Sequence, residues 1–241
     1  MRSLVVGDLH GNNYAFERAI QEFEREKQDE IIFIGDYVDA YHYTDVEILH
    51  LLNQVINYKK ENPEKVQLLL GNHCVQYYYL GNDWFKCSGF RKTYALEVHK
   101  LFMDNKDLFK IGYQQGEYLF THAGITSKWY ERYYDRLIYH CPGDLKYNFA
   151  DTLNIMKDTF DNWILGSIGR IRGGFGIGGP LWADKSEMGK YESYRGFKQV
   201  VGHSRVNDII EEPWDVTFID CLHRRIKFLT IDHEKKQEIC N

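Results

Sequence analysis

The chain has 241 residues, 44% of them hydrophobic, which is enough to bury a substantial core in one large α/β domain or two small ones. Its formal net charge of −5 excludes a general attraction to nucleic acid or anionic membranes and leaves room only for local basic patches. The longest apolar runs are far shorter than a membrane span, so no transmembrane helix is expected.

The first third of the chain alternates strand-like apolar runs with helix-like spacing. A helix is predicted after the start signal Asn12–Asn13. A second helix is predicted from the capping-box pair Thr44 and Glu47 to about residue 61. The strands are predicted at 3–6, 31–34 and 66–70. This regular order predicts parallel strands joined by right-handed crossovers.

The remainder of the chain is less regular. A helix is predicted at about 91–105, followed by strands at 108–113 and 117–121. Residues 126–165 are predicted to be mainly helical and to form an insertion beside the functional site. The segment 166–179 has seven glycines in fourteen residues and is therefore predicted to be a loop. The last predicted strands, expected to complete a second sheet, lie at 197–201, 214–219 and 225–231.

No linker rich in proline, serine or charge divides the sequence, so a single domain spanning 1–241 is expected. The five cysteines have no close paired spacing, which favours reduced thiols over a disulfide framework. Because the chain runs from Met1 directly into a strand that ends at a candidate site, a removable signal peptide is not expected. We therefore expect a cytoplasmic protein.

Five short motifs place oxygen or imidazole groups on glycine-marked turns, three of them directly after predicted strands. They are Gly-Asp-Leu-His-Gly at 7–11, Gly-Asp-Tyr-Val-Asp at 35–39, Gly-Asn-His at 71–73, Thr-His-Ala-Gly at 121–124 and Gly-His-Ser at 202–204. Clustered acids and histidines are costly to bury without a cation. Two divalent ions would neutralise them and lower the pKa of a bound water. The set predicts a binuclear metal site.

In this order, the five motifs resemble the signature of the calcineurin-like metallophosphoesterases. Within that superfamily they resemble the serine/threonine phosphoprotein phosphatase and diadenosine tetraphosphatase branch, over residues 7–205. The resemblance implies an α/β fold of four layers, in which a two-sheet β-sandwich is flanked by helices. It also implies a metal-dependent phosphoric ester hydrolase. Imidazole ligands suit manganese, our first choice for both ions, or iron, zinc or nickel, better than magnesium or calcium.

The resemblance also implies a role for each motif residue. One metal would be held by Asp8, His10 and Asp36, and the other by Asp36, Asn72, His122 and His203. His73 would be the general acid that protonates the leaving oxygen, and Asp39 would stabilise its protonated form. A metal-bridging hydroxide would attack a phosphomonoester, with phosphoserine and phosphothreonine as the first choice of substrate.

Two departures from the family pattern concern the substrate. The family's arginine after the second motif is replaced by Ala40, and its glutamate after Gly-Asn-His is replaced by Cys74. A phosphate-binding arginine is therefore expected elsewhere, because a planar guanidinium can bind two phosphate oxygens. Arg195 is the first candidate and Arg205 the second, with Arg170 and Arg172 as weaker ones. The glycine-rich segment is either a phosphate cradle or a flexible connection.

Two alternative functions follow from the same departures. One is hydrolysis of a dinucleoside polyphosphate or another phosphodiester, which the missing arginine and the abundant aromatic residues would permit. The other, from outside enzymology, is a metal-binding regulatory module with a degenerate site, motivated by Ala40 and Cys74. The expected partner is a phosphorylated substrate, either a phosphoprotein or a nucleotide. No association with a membrane is expected. The sequence does not define an oligomeric state.

Overall fold

The computed structural model describes residues 1–233 and has a mixed α/β architecture with two five-stranded sheets flanked by helices. The first sheet has the order β10-β1-β2-β3-β4 and the second the order β5-β6-β7-β9-β8. The strands are β1 Arg2–Val6, β2 Glu30–Phe33, β3 Val66–Leu69, β4 Phe109–Lys110, β5 Gly112–Gln115, β6 Tyr118–Thr121, β7 Lys198–Val201, β8 Ile210–Glu212, β9 Val216–Phe218 and β10 Leu229–Asp232. The fold class expected from the family resemblance is confirmed.

Parallel pairing brings the carboxyl ends of the central strands together. β1, β2, β3 and β4 are parallel neighbours, with Val6 opposite Phe33 and Phe33 opposite Leu68. In the second sheet, β6, β7 and β9 are also parallel. Apolar residues from both sheets pack between them, namely Val5, Ile32, Ile34, Leu69, Phe120, Val200, Ile219 and Ile231. The two sheets therefore share one buried interface, and each presents its strand ends as a single edge.

The helices lie in the connections between strands. They are α1 Asn13–Arg25, α2 Asp45–Glu61, α3 Asn72–Tyr78, α4 Ala95–Asp104, α5 Ser127–His140 and α6 Phe149–Lys157. The Asn12 side chain caps α1, and both hydrogen bonds of the predicted Thr44–Glu47 capping box are present at α2. Within residues 1–233, no helix is long and apolar enough to cross a membrane.

Two sequence expectations need correction, and two elements were missed. The strand expected at 225–231 to belong to the second sheet is β10, which pairs antiparallel with β1 in the first sheet. The strand expected at 108–113 is two strands, β4 and β5, one in each sheet. Neither β8 nor α3 was expected. The segment 166–179, predicted to be a loop, contains the short 3₁₀ turn Arg170–Arg172.

Candidate metal centre

The predicted metal ligands lie just beyond the carboxyl ends of five strands, three in the first sheet and two in the second. Asp8 and His10 follow β1, Asp36 follows β2, Asn72 follows β3, His122 follows β6 and His203 follows β7. Since these strands are parallel and their ends share one edge of each sheet, the turns after them converge. The structure thus brings together all six side chains that the sequence motifs single out.

Asp36 is at the centre of this group. Its Oδ2 lies 3.3 Å from His122 Nε2 and 3.7 Å from His10 Nε2, while Oδ1 accepts a hydrogen bond of 2.9 Å from the His73 backbone N–H. A Cβ atom at Gly71 would lie 2.1 Å from Oδ1, so the third motif needs glycine there. The side chain of Asp36 therefore contacts both halves of the predicted binuclear site.

Two backbone carbonyls orient two of the histidines. The Nδ1 atom of His10 lies 2.9 Å from the Val38 oxygen, and that of His122 lies 3.0 Å from the Ile34 oxygen. A neutral imidazole that donates from Nδ1 presents a lone pair at Nε2. In both histidines Nε2 faces the carboxylate of Asp36, so a positive charge, either a proton on Nε2 or a metal ion, is favoured between them. This arrangement fits a metal ion held by Nε2.

Asn72 joins the remaining histidines. Its Oδ1 lies 2.8 Å from His122 Nε2 and 2.9 Å from His203 Nδ1. Nε2 of His203 is buried and has no hydrogen-bond partner among residues 1–233. Ring nitrogens and an amide oxygen directed at one point form a suitable donor set for a transition metal. The ligand atoms of Asp8, Asp36 and His122 all lie within 4.8 Å of one another, as do those of His10, Asp36 and His73.

Charge is concentrated in the buried part of this cluster. Burial and the nearby charge of Asp220 raise the pKa of Asp8 well above its usual value. Burial also acts to raise the pKa of Asp36, but the charges of His122 and His73 outweigh it and hold that pKa well below its usual range. For His122, the carboxylates overcome burial and raise the pKa to about 9. Such a set of buried acids favours a bound cation.

Asp220 belongs to this cluster but was not singled out from the sequence. It lies two residues beyond β9, is 3% exposed, and has a pKa raised by burial. Its signal was an aspartate at the end of the apolar run Val-Thr-Phe-Ile. That run lacks the glycine that marks the five motifs, so the pattern did not distinguish it from an ordinary strand end.

His73 and Asp39 form the pair expected for acid catalysis. Nδ1 of His73 lies 3.1 Å from Asp39 Oδ2. Burial opposes protonation of His73, but the charge of Asp36 and the hydrogen bond that His73 donates to Asp39 raise its pKa well above the usual value. With Nδ1 engaged by Asp39, Nε2 of His73 is the atom that can donate a proton to a substrate.

A cavity of about 390 Å³ gives access to the cluster. Five of the six predicted ligands line it, all except the fully buried His122, together with the His73–Asp39 pair. The other lining residues are Tyr41, Ser88, Arg172, Trp182, Arg205 and Asp220. Arg195 does not line it, because its guanidinium is exposed and donates to the Lys190 backbone oxygen. Of the candidate arginines, the structure therefore places Arg205 and Arg172, and not the first-choice Arg195, where a substrate phosphate could bind. Arg170 is exposed and does not line the cavity either.

The fold and this cluster of side chains define the class of protein to which the chain belongs. The family model "Calcineurin-like phosphoesterase" matches residues 1–218, and the chain belongs to that family. Its members are metal-dependent phosphoesterases. The family resemblance inferred from the five motifs is confirmed.

Individual relatives are distant. A segment of 69 residues is 32% identical to the serine/threonine-protein phosphatase 6 catalytic subunit of Drosophila melanogaster, and covers 29% of this chain but only 22% of that protein. A mutant cold-active protein tyrosine phosphatase superposes with a TM-score of 0.59 at 17% identity, over 96% of this chain and 75% of that one. The cold-active protein-tyrosine phosphatase of a psychrophilic Shewanella species gives 0.56 at 16% identity, with the same coverage. At these identities the solved structures show a common fold.

Proposed function

We propose that the protein is a two-metal-dependent phosphomonoesterase of the serine/threonine phosphatase type. The observation that carries this proposal is the cluster that the six motif side chains form around Asp36 and Asn72, beside a cavity that also contains the His73–Asp39 pair. We propose that Asp8, His10 and Asp36 bind one ion and that Asp36, Asn72, His122 and His203 bind the other. Manganese remains the first choice. The match between 29% of this chain and the Drosophila serine/threonine phosphatase supports phosphoserine and phosphothreonine as the substrate class.

The protein's own groups have distinct roles in the proposed reaction. Two bound divalent ions would supply an activated water and neutralise charge on the phosphoryl group. His73 would donate the proton on Nε2 to the leaving oxygen, and Asp39 would hold its ring in place through Nδ1. Arg205, which lines the cavity, would contact the phosphate oxygens through its planar fork.

A second candidate substrate is an aromatic phosphomonoester such as phosphotyrosine. A further cavity, of about 310 Å³, adjoins the first and shares Asp8, His10 and Asp39 with it. Besides polar and charged groups, it is lined by the buried apolar side chains of Leu9, Ala40 and Leu222 and by the rings of Tyr41, His42, Tyr43 and His223. Apolar side chains and rings of this kind suit a planar leaving group. The solved neighbours are described as tyrosine phosphatases.

The protein's location and partners are also proposals. The four described cysteines are unpaired, which supports a reducing compartment, and we propose the cytoplasm. We propose a phosphorylated protein as the partner of the site, with a nucleotide as the alternative.

The test is a set of initial rates with metal-stripped protein, with and without added manganese. The substrates are a phosphothreonine peptide, a phosphotyrosine peptide, an aryl phosphomonoester, a bis-aryl phosphodiester and diadenosine tetraphosphate. Manganese-dependent turnover of the peptides supports a phosphomonoesterase, and preferential turnover of diadenosine tetraphosphate supports the nucleotide alternative. No turnover of any substrate by protein with two bound metals would contradict the proposal and favour a binding module.

Two variants test the assignment of roles. His73→Ala should lower kcat by about 100- to 10,000-fold while metal content stays unchanged, because it removes only the general acid. Asp36→Asn should lower metal content itself, because it weakens the residue that both ions would share. Full activity in both variants would exclude this mechanism.

A further inference from the structure

Arg172 reaches the catalytic cavity from the glycine-rich segment 166–179. It lies at the end of the 3₁₀ turn Arg170–Arg172, and Gly173 follows it in the left-handed conformation, with a φ of 83°. The Gly173 N–H donates to the Arg170 oxygen at 3.0 Å, which closes the turn. Glycine adopts this conformation at no steric cost. The turn leaves Arg170 outside the cavity and brings Arg172 to its wall.

Two protein groups hold the Arg172 guanidinium. Its Nε lies 2.8 Å from Asp184 Oδ2, and its Nη2 donates to Ser204 Oγ at 3.0 Å. Ser204 follows His203 and also accepts a hydrogen bond of 2.9 Å from the Lys185 backbone N–H. The contact with Ser204 thus places the guanidinium beside a proposed metal ligand. The side chain is 30% exposed, so it is oriented but accessible.

The guanidinium keeps donors free for a ligand. Arginine has five N–H groups in a rigid plane. Asp184 and Ser204 engage one each, on Nε and Nη2, and no contact within residues 1–233 engages Nη1. Because Nη1 belongs to the same plane, holding the other two nitrogens also fixes its direction. This fixed fork can bind two phosphate oxygens with little loss of side-chain entropy.

The charges around the cavity also favour cationic side chains at the substrate phosphate. Four carboxylates line it, those of Asp8, Asp36, Asp39 and Asp220. Two divalent ions would offset these charges, and a dianionic phosphate would then face protonated His73 and the arginines of the cavity. Arg172 and Arg205 are the two arginines that line the cavity. Ala40, at the position where the family has an arginine, contributes no charge.

We propose that Arg172 binds the substrate phosphate in place of the arginine missing at position 40, and that Asp184 is the positioning residue for its guanidinium. This inference rests on the proposed phosphomonoesterase function, since it names a phosphate-binding residue of that same site. Lys185 and Ser204 complete the support, because the 2.9 Å hydrogen bond from Lys185 to Ser204 links the segment after Asp184 to the last motif.

The test measures the inhibition constant of inorganic phosphate and the kinetics of an aryl phosphomonoester with manganese-supplied protein. Arg172→Ala should weaken phosphate binding and lower kcat/KM by about tenfold to a hundredfold, the usual effect of losing hydrogen bonds to a charged group. Arg172→Lys should recover only part of this, because an ammonium lacks the planar fork. The matched control is Arg170→Ala, which removes an exposed arginine from the same turn and should change neither quantity more than about twofold.

Asp184→Asn tests the positioning role. Asp184 also accepts hydrogen bonds from the Ser186 N–H and hydroxyl, and asparagine can still accept these. If Asp184 positions Arg172, Asp184→Asn should raise the phosphate inhibition constant several-fold in the wild-type background and have no further effect with Arg172→Ala. If Asp184 serves only the local turn, the inhibition constant will not change in either background, and the positioning role is overturned.

Calorimetric titration of inorganic phosphate into the manganese-supplied protein separates this inference from the proposed function. If no ester is hydrolysed but Arg172→Ala still weakens phosphate binding, the proposed function fails and the assignment of Arg172 stands. If ester hydrolysis is confirmed but Arg172→Ala binds phosphate like the wild type, the assignment is overturned. Should Arg172→Ala not fold, Arg172→Lys decides the question, because unchanged phosphate affinity in that variant would show that no fork is needed.

Discussion

The Asp39 carboxylate is held by four side chains. His73 Nδ1 lies 3.1 Å away, Tyr94 Oη donates at 2.8 Å and Tyr77 Oη at 2.5 Å, and Gln76 Nε2 also donates. Asp39 is 6% exposed, and its backbone is left-handed, with a φ of 60°. A residue held in such a conformation by its surroundings is typical of functional sites. These contacts fix the carboxylate that faces His73.

We therefore expect Asp39→Asn to lower kcat by about 10- to 100-fold, a part of what general acid catalysis contributes. The amide preserves the shape of the side chain but removes the charge that favours protonated His73. Metal content, measured by elemental analysis, should stay at the wild-type level. Tyr94→Phe should lower kcat less, because it removes one hydrogen-bond donor to Asp39 and leaves the carboxylate in place. Equal kcat in Asp39→Asn and wild type would exclude a role for Asp39 in acid catalysis.

The sequence identified the residues of the site that share a local pattern. Asp36, Asn72 and the histidines each follow a strand within a short glycine-marked motif, and the resemblance of these motifs to the family signature predicted that they meet. Which arginine faces the cavity could not be predicted in this way. Arg195 and Arg172 both lie in irregular segments, and their directions depend on distant partners, the Lys190 oxygen in one case and Asp184 and Ser204 in the other.

Among the elements, those with an amphipathic pattern and a start signal were predicted well. Both α1 and α2 begin at the expected caps. The helix α3 was missed because it is only seven residues long, has no side-chain cap, and is buried at six of its positions, so it shows no polar face. The sheet assignment of β10 was wrong because its partner β1 lies more than 200 residues away along the chain. A strand's own sequence does not specify such a partner.

The C-terminus of α1 has a defined geometry. The Gln28 N–H donates to the Phe23 oxygen and the Lys27 N–H to the Glu24 oxygen, both at 3.2 Å. These are the two hydrogen bonds of a Schellman motif. The residue at its left-handed position is Lys27, with a φ of 48°, where glycine is the usual residue. A side chain at this backbone conformation is strained.

Accordingly, Lys27→Gly should raise the free energy of unfolding by about 0.5–1 kcal/mol, because the relief of strain exceeds the added flexibility of the unfolded chain. Urea denaturation followed by circular dichroism would measure the change. The control is Lys27→Ala, which removes the same charge but keeps a Cβ atom, and should give no such gain. A Lys27→Gly protein less stable than Lys27→Ala would show that the motif is not strained.

At the scale of the whole molecule, the candidate metal centre lies where the two sheets meet. Asp8, Asp36 and Asn72 come from the first sheet, and His122 and His203 from the second. The His122 ring spans this boundary, since its Nδ1 contacts the Ile34 oxygen and its Nε2 the Asn72 oxygen. Ions bound here would link the sheets and offset the buried carboxylates at the same time. Metal binding should therefore be coupled to the stability of the entire fold.

A ligand that binds only the folded protein stabilises it, by about 2.7 kcal/mol when present at 100 times its dissociation constant. Manganese should thus raise Tm by roughly 5–10 °C for a chain of this size, and chelation should reverse the change. Scanning calorimetry of Asp36→Asn should show a much smaller shift, because this variant weakens the residue that both ions would share. In the control Glu30→Gln, a buried carboxylate that contacts Ser3 and Tyr113 away from the centre is changed, and the full shift should remain. Identical Tm values of the wild type with manganese and with chelator would mean that metal binding does not link the two sheets.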